Sequence, residues 1–354
     1  MSHRAFFRAT VVVASAVLLL AGCAPAPDRG ADSDAPEYCA RMVTNSGGLE
    51  DRSFNQSSWE GLKAAKAEYG IGVDAIVSTN ETDLAPNVEQ AVGTGCQLIL
   101  TVGWELANAT SEEAAANPEL HFAIVDEVVE GDNIKPIVFD TAQAAFLAGY
   151  LAAGVSQTGV VGTFGGDPQP PVTLFMDGFV DGVAHYNEVH GAAVRVLGWN
   201  KEKQDGLFTG DYENVTLGKN TAEGLLDQNA DVILPVAGQV GEGAAAAILE
   251  RGTGSLIWVD NDGYETLPAD FRSVVLTSIL KNTQDAVVEI IGADLDGHFD
   301  NKPFIGTLEN GGVEIAPFHD RAGMVPDALQ AEIDQLRADI ISGALTVESA
   351  STPR

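Results

Sequence analysis

Basic side chains are scarce in this chain of 354 residues. Lys and Arg number 19 against 51 Asp and Glu, and the formal net charge is −32. A surface this negative repels phosphate backbones and anionic lipid headgroups, so the composition argues against a nucleic-acid-binding protein. It does not by itself identify a cationic ligand, because acidic residues spread over a surface mostly serve solubility.

Motifs that carry covalent or metal chemistry are also missing. The sequence contains no Gly-x-Ser-x-Gly and no His-Glu-x-x-His, and its six His are scattered rather than spaced with Cys as metal ligands. Residues 130–132 form an acidic turn without the ligand spacing of a calcium loop. An extracytoplasmic enzyme is the alternative function from a different class of protein. We expect a protein that is not an enzyme, with no catalytic residue, no cofactor and no metal.

The apolar run at the start of the chain is short. Residues 9–21 are apolar except for Thr10 and Ser15 and fall short of the roughly 20 residues that a membrane-spanning helix needs. Arg4 and Arg8 precede this run, and small residues end it, as in a secretory signal. We therefore predict a signal peptide over residues 1–22.

The four residues Leu-Ala-Gly-Cys that end at Cys23 resemble the bacterial lipobox. This resemblance implies lipid on Cys23, and stable anchoring takes two or more acyl chains. Residues 23–36 would then be a flexible linker on the extracytoplasmic face of the cell membrane, because they are rich in Ala, Pro and Asp and cannot build a core. The alternative is an ordinary cleaved signal with an incidental Cys.

The chain has only three Cys. Cys39 and Cys96 both fall at the start of predicted strands, which would be neighbours in a sheet of order 2-1-3. We predict a disulfide between them, as an exported location permits; the alternative is two buried free thiols. Neither state gives a catalytic nucleophile, because no His is adjacent.

Short runs rich in Val, Ile and Leu alternate with amphipathic segments along the mature chain. This alternation predicts an α/β fold with parallel sheets that are covered on both faces, in two doubly wound lobes. The predicted strands are residues 40–44, 72–78, 97–102, 121–125, 136–139, 160–164, 194–197, 232–235, 256–259 and 274–277. The predicted helices are residues 56–69, 141–156, 172–187, 216–228, 241–251 and 285–295.

We expect the chain to pass between the lobes three times, near Asp140, near residues 276–281 and near residues 296–301. The expected lobes are residues 37–140 plus 277–297 (N-terminal) and 141–276 plus 298–345 (C-terminal), with a tail at 346–354. Several connecting strands would form the hinge. Ligands of open α/β sheets bind outside the carboxyl ends of the strands, so we expect the ligand-binding residues there.

Polar residues follow several predicted strands at their carboxyl ends. Asp126, Asp260 and Lys281 each come at such an end. Taken singly, each Asp is as easily a turn or cap residue, but two acids and a lysine together suit a ligand with hydroxyl groups. The loop after the first strand carries Phe54, and Asn55 or Ser57 is a candidate cap for the helix that follows.

Motifs over nearly the whole mature chain resemble the basic membrane protein (BMP) family of lipoproteins. The first is Asp51-Arg52-Ser53-Phe54-Asn55-Gln56 with Glu60-Gly61, and others occur at residues 122–126, 145–152, 162–166, 175–179, 236–238, 259–262 and 276–282. The family comprises solute receptors of ABC importers, including purine-nucleoside receptors. The resemblance therefore implies a type I periplasmic-binding-protein fold, no enzymatic activity, ABC permease subunits as partners and a nucleoside as ligand.

The resemblance also implies that two aromatic side chains, one from each lobe, hold the base. They correspond to Phe54 and to Tyr212, six residues before Gly218-Lys219. The family usually has Phe at the second position, and its following Asp is here Asn214. These departures bear on the preference for one base over another more than on stacking.

The other site residues that the resemblance implies fall into two groups. Asp51 and Asn55 would meet the base edge or the loop backbone, and Gly238 would let the main chain approach the ligand. The ribose would be held by the three strand-end residues Asp126, Asp260 and Lys281.

Several alternatives stay open at this point. Trp104 and Trp199 are further cleft candidates, although a large aromatic is more often part of the core. The ligand could be another small polar molecule, such as a sugar or a flavin-like compound. A ligand sensor coupled to signalling would use the same two-lobed shape.

Overall fold

The computed structural model describes residues 37–354. The predicted signal peptide, the lipidation site Cys23 and the linker to residue 36 lie outside the described residues. The strands are β1 (Cys39–Thr44), β2 (Gly72–Ile76), β3 (Leu98–Val102), β4 (His121–Val125), β5 (Ile134–Phe139), β6 (Val160–Gly165), β7 (Arg195–Leu197), β8 (Trp199–Asn200), β9 (Asp205–Gly206), β10 (Val232–Val236), β11 (Ser255–Asp260), β12 (Val275–Lys281), β13 (Phe304–Gly306) and β14 (Val313–Ile315).

Helices cover both faces of the sheets that these strands form. They are α1 (Phe54–Tyr69), α2 (Leu84–Val92), α3 (Ala107–Ala116), α4 (Thr141–Val155), α5 (Pro170–His190), α6 (Val215–Leu226), α7 (Gly241–Arg251), α8 (Gly263–Thr266), α9 (Thr283–Leu295) and α10 (Asp327–Ile341). Each strand and helix that the sequence predicts is present, with small shifts at the ends. Short strands such as β13 and β14, and the helices α2, α3 and α10, were not predicted.

Two six-stranded sheets form the two lobes. Their orders are β13-β5-β4-β3-β1-β2 and β14-β12-β11-β10-β6-β7. Neighbouring strands run parallel, except for the antiparallel pair β12 and β14. The central strands β3 and β10 are buried along their whole length, as expected where helices cover both faces. The predicted fold class, a type I periplasmic-binding-protein fold with two doubly wound α/β lobes, is confirmed.

The disulfide between Cys39 and Cys96 is present and closes a sequence separation of 57 residues. It joins the start of β1 to the residues just before β3, which is the neighbour of β1 in the sheet. This bridge lies at the amino ends of the two strands. It therefore sits at the opposite edge of the sheet from the carboxyl ends, where the site is expected.

The chain passes between the lobes three times, but two of the expected positions are wrong. The first passage follows β5, as predicted. All of β12 belongs to the second sheet, so residues 277–281 lie in the C-terminal lobe, and the chain returns only afterwards, where α9 packs on α1. The last passage lies between β13 in the first sheet and β14 in the second, beyond the expected residues 296–301.

Both errors have a physical cause. Pairing with β11 extends β12 to Leu280, and pairing with β14 extends it to Lys281. The sequence analysis ended this strand at residue 277 and placed a passage between the lobes there. The strand β13 pairs with the free edge of β5. With only three residues, β13 is too short to show a pattern of alternating side chains in the sequence. The segment expected to be a tail also packs on the C-terminal lobe, where Ser349 Oγ donates to Asp177 Oδ2 (2.6 Å).

Within residues 37–354 none of the helices combines the length and the apolar composition that crossing a bilayer requires.

Candidate functional site

One cavity of about 680 Å³, including its open mouth, lies between the carboxyl ends of the strands of both sheets. All eight ligand-binding residues predicted from the sequence line it: Asp51, Phe54, Asn55, Asp126, Tyr212, Gly238, Asp260 and Lys281. The strand-end rule and the family motifs thus lead to the same place in the fold, and which of these residues bind a ligand stays a prediction.

Two carboxylates and one ammonium group form a buried triad in this cavity. Lys281 Nζ lies 2.5 Å from Asp126 Oδ2 and 3.4 Å from Asp260 Oδ1. Ser53, which the sequence did not single out, donates its hydroxyl to the other oxygen of Asp260. The carboxylate oxygens of the triad can accept hydrogen bonds from a ligand.

Burial and mutual attraction act in opposite directions on the triad. Burial alone would lower the pKa of Lys281, but the two carboxylates outweigh it and raise that pKa, so the lysine is charged. Burial raises the pKa of Asp126 although Lys281 opposes this effect, and the charge of Asp260 raises it further. The site is thus built to gain when hydroxyl donors meet its carboxylates.

The two acids of the triad share an unusual backbone conformation. Asp126 has φ 65° and Asp260 has φ 66°, in the left-handed region that non-glycine residues rarely adopt. Asp126 directly follows β4 in the first sheet, Asp260 is the last residue of β11 in the second, and both line the cavity between the lobes. Such local strain, roughly 1–3 kcal/mol per residue, is characteristic of functional sites.

Phe54 and Tyr212 are half-buried in the cavity wall, one in each lobe. Phe54 is the first residue of α1, and its ring centre lies 4.6 Å from Lys281 Nζ. The Tyr212 hydroxyl accepts a hydrogen bond from the backbone N–H of Asp167 (3.1 Å). A Cβ at Gly166 would lie 2.2 Å from the Tyr212 ring, so Gly166 lets this ring pack on the main chain.

Gly238 lies beside Tyr212 at the start of a 3₁₀ turn. Its φ of 53° is in the left-handed region, whereas a Cβ there would meet nothing closer than 3.7 Å. Backbone conformation rather than space therefore favours glycine at this position.

Asp51 caps α1, a role that the sequence suggested for Asn55 or Ser57. Its carboxylate accepts three backbone hydrogen bonds, from Ser53 (3.1 Å), Asn55 (2.8 Å) and Gln56 (3.0 Å). Burial raises the pKa of Asp51 to about 6, although these N–H groups act to lower it. Of the two roles expected for Asp51, the structure shows the one at the loop backbone.

The sequence missed Glu105 and Asn45, which also line the cavity. Glu105 follows β3 in Gly103-Trp104-Glu105, so the strand-end rule that found Asp126 could have found it. Burial raises the pKa of the Glu105 carboxyl. Trp104 lines the cavity, as suggested, but Trp199 does not: it is buried and donates its indole N–H to Asp177 Oδ1 (2.8 Å).

The loop that carries Arg52 joins the lobes beside the cavity. Arg52 Nε lies 2.9 Å from Glu242 Oε1 on α7, and its Nη1 donates to the carbonyl oxygen of Thr266 (3.0 Å) on α8. The Arg52 carbonyl oxygen accepts from Trp258 Nε1 (3.3 Å). These contacts join the first lobe to the second.

The part of the chain that the structure describes has no cluster of three or more His, Cys, Asp or Glu that could hold a metal ion.

Comparison with known proteins gives concordant results. The family model of PnrA-like ABC transporter substrate-binding proteins, named Bmp, matches residues 40–351. A Lactococcus lactis protein named ABC transporter nucleoside-binding protein BmpA is 29% identical, over 96% of this chain and 97% of that protein. Basic membrane protein A of Borreliella burgdorferi is 28% identical, over 86% of each chain.

Solved structures agree in fold. An ABC transporter solute-binding protein from Aeropyrum pernix superimposes with a TM-score of 0.79 at 24% identity and covers 90% of this chain and 94% of its own. A solute-binding protein from Conexibacter woesei gives a TM-score of 0.69 at 22% identity, over 88% and 99% of the two chains. With a family model that spans almost all of the described residues, this chain belongs to the Bmp family of PnrA-like ABC transporter substrate-binding proteins.

Proposed function

We propose that this protein binds nucleosides, with purine nucleosides as the favoured class, in the cavity between its lobes and delivers them to an ABC importer. It acts as a binding protein and not as an enzyme. The observation that carries the proposal is the pairing, in one cavity, of an aromatic side chain from each lobe with a charged Asp126–Lys281–Asp260 triad. The name of the Lactococcus lactis relative, a nucleoside-binding protein, supports the same ligand class.

The aromatic residues suit the heterocycle. Phe54 and Tyr212 come from different lobes, so a flat base between them would bury both of its faces. Aromatic stacking adds about 0.5–1.5 kcal/mol beyond the burial of area. A sugar alone makes less use of two such surfaces.

The triad suits the pentose. The carboxylates of Asp126 and Asp260 accept hydrogen bonds, and vicinal hydroxyls donate them, while Lys281 donates to a ring or hydroxyl oxygen. A ligand without these hydroxyls leaves buried acceptors unpaired, at a cost of about 1–3 kcal/mol each. The triad therefore selects nucleosides over free bases.

Binding and transport are linked through closure of the lobes. A ligand that touches both lobes binds the closed state more tightly than the open one and shifts the population toward it. The Arg52 contacts to Glu242 and Thr266 favour the same state. In this proposal the permease recognises the closed form.

Membrane attachment through lipid on Cys23 is part of the proposal. It places the receptor on the extracytoplasmic face of the cell membrane, next to the permease. The lipobox-like residues that end at Cys23 support it, and mass spectrometry of the protein purified from membranes tests it.

A thermal-shift screen with nucleosides, free bases, pentoses and riboflavin tests the ligand class. We expect purine nucleosides to raise the melting temperature most, and free bases or ribose to raise it little. A shift with a sugar or riboflavin alone would replace the nucleoside by one of the alternative ligands. A gene neighbourhood with a signalling kinase in place of permease and ATPase genes would favour a sensor.

A further inference from the structure

Ser53 belongs to the first lobe, but two of its polar groups contact the second. It comes directly before α1, which packs on α9 in the N-terminal lobe. Its hydroxyl donates to Asp260 Oδ2, and its carbonyl oxygen accepts from Asn261 Nδ2 (2.8 Å). Asp260 ends β11 in the second sheet, and Asn261 follows it. A single residue thus bridges the lobes at one of the two acids of the triad.

The main chain fixes Ser53 within its own lobe. Its N–H donates to Asp51 Oδ1 (3.1 Å), and its carbonyl oxygen also accepts from the N–H of Ser57 in the first turn of α1 (3.0 Å). Ser53 has no exposed surface. Because Ser53 is held by the start of α1, a separation of the lobes would carry its hydroxyl away from Asp260.

The two oxygens of Asp260 have partners in different lobes. Oδ1 faces Lys281 Nζ (3.4 Å) at the end of β12, in the same sheet as Asp260, whereas Oδ2 accepts from Ser53 of the first lobe. A carboxylate oxygen has two lone pairs, so each can still accept from a ligand. The Asp260 side chain keeps 9% of its surface exposed and lines the cavity. Asp260 is thus accessible to a ligand, while its orientation depends on a donor from the opposite lobe.

We propose that Ser53 is a positioning residue that orients the Asp260 carboxylate toward the vicinal hydroxyls of a ribose when the lobes close. The inference rests on the proposed nucleoside function and adds to it a coupling between pentose recognition and closure. In the open state Asp260 loses one of its two partners, so its carboxylate is less well oriented for the pentose. A ligand without those hydroxyls gains nothing from this arrangement.

Ser53 differs in this respect from Arg52, which also joins the lobes. The side chain of Arg52 contacts Glu242 and Thr266, neither of which lines the cavity. Loss of the Arg52 contacts should therefore weaken the binding of all ligands by the same factor. Loss of the Ser53 hydroxyl should weaken only the binding of ligands that carry the pentose hydroxyls.

Titration of Ser53→Ala with a purine nucleoside and with its 2′,3′-dideoxy form tests this role. We expect nucleoside affinity to fall about fivefold or more, because hydrogen bonds to charged groups are the stronger ones. Affinity for the dideoxy form, measured by its displacement of the nucleoside, should stay within about twofold of the wild-type value, because this ligand presents no donor to Asp260. Ser255→Ala is the matched control and should change neither affinity. It removes a buried hydroxyl at the other end of β11, where the oxygen accepts from Arg321 Nη1 (3.4 Å).

Solution scattering of the wild type tests the coupling without any substitution. We expect a smaller radius of gyration with saturating nucleoside than with the saturating dideoxy form. Only the ribose hydroxyls engage Asp260, so only the nucleoside gains from the state in which Ser53 reaches that carboxylate. Equal closure with both ligands would overturn the inference.

The remaining outcomes separate the two claims. If Ser53→Ala binds the nucleoside like the wild type, or weakens both ligands by the same factor, Ser53 is only a structural contact between the lobes. Either result would overturn the inference and leave the proposed function intact. If the wild type binds no nucleoside, the proposed function fails and the inference fails with it.

Discussion

Lys281 Nζ and Asp126 Oδ2 lie 2.5 Å apart, at the ends of strands that belong to different sheets. This ion pair bridges the two lobes at the bottom of the cavity and is almost completely buried. The ammonium group of Lys281 reduces the electrostatic repulsion between the carboxylates of Asp126 and Asp260. The pair therefore bears on the stability of the free protein as well as on binding.

Removal of the ammonium group should destabilise the protein. Lys281→Met keeps most of the side-chain volume but leaves Asp126 and Asp260 buried without a cation. Breaking a buried ion pair in this way costs about 3–5 kcal/mol, which urea unfolding can measure. Adding Asp126→Asn to the variant should recover part of the loss, and a double variant no more stable than the single one would contradict the electrostatic explanation.

The acid at the end of β11 should discriminate ribosides from bases. Asp260→Asn keeps the shape and still accepts from Ser53, but it loses the charge that ribose hydroxyls would meet. Hydrogen bonds to charged groups contribute about 1.5–3 kcal/mol, so nucleoside affinity should fall roughly 10- to 150-fold. Free-base affinity, measured in parallel by calorimetry, should change little.

Asp300→Asn is the control for that experiment, because Asp300 is exposed and pairs with Lys135 away from the cavity. A matched loss for nucleoside and base in Asp260→Asn would argue against a ribose contact.

The contacts of Arg52 should shift the balance between open and closed lobes. Arg52→Ala removes the ion pair with Glu242 and the hydrogen bond to Thr266. Because the guanidinium is partly exposed, the loss is small, about 1 kcal/mol. We expect a larger radius of gyration of the free protein in solution scattering and nucleoside affinity weakened severalfold.

Arg251→Ala is the matched control, since its exposed pair with Asp227 lies within one lobe. The role of Arg52 in closure would be refuted if both variants scattered like the wild type and bound ligand equally.

The disulfide should affect stability and leave binding alone. In the chain-entropy model a closed loop of 57 residues contributes about 4 kcal/mol. Cys39→Ser with Cys96→Ser should lower the free energy of unfolding by up to this amount. Ligand affinity should persist, because the bridge lies at the amino ends of β1 and β3. A large loss of affinity in the folded variant would show coupling between the two ends of the sheet.

The sequence predicted the fold and most of the site because both follow from strand patterns. Runs rich in Val, Ile and Leu predicted the strands of the two sheets. The residues that follow two of these runs are Asp126 and Asp260, which the strand-end rule identified as site residues. Lys281 was identified in the same way. The sequence analysis assigned it to the N-terminal lobe, whereas the structure places it at the end of β12 in the second sheet.

The remaining features depend on long-range contacts that leave no local pattern. The three residues of β13 form a strand only because the edge of β5 is free. Asn55 donates a hydrogen bond to Asn45, and Asn45 donates one to Glu105. These three residues come from separate segments, and no sequence spacing reveals their contact. Asp51 rather than Asn55 caps α1 because the loop turns back over the first helical N–H groups.

Isothermal titration of a purine nucleoside into the wild type, Phe54→Ala, Tyr212→Ala and Tyr212→Phe, each first shown to be folded, tests the central claim most directly. We expect each Ala variant to bind at least tenfold more weakly than the wild type, and Tyr212→Phe to bind within about threefold, because the ring persists while a single hydrogen bond is lost. Equal affinity in all four proteins, or no binding to the wild type, would contradict the account.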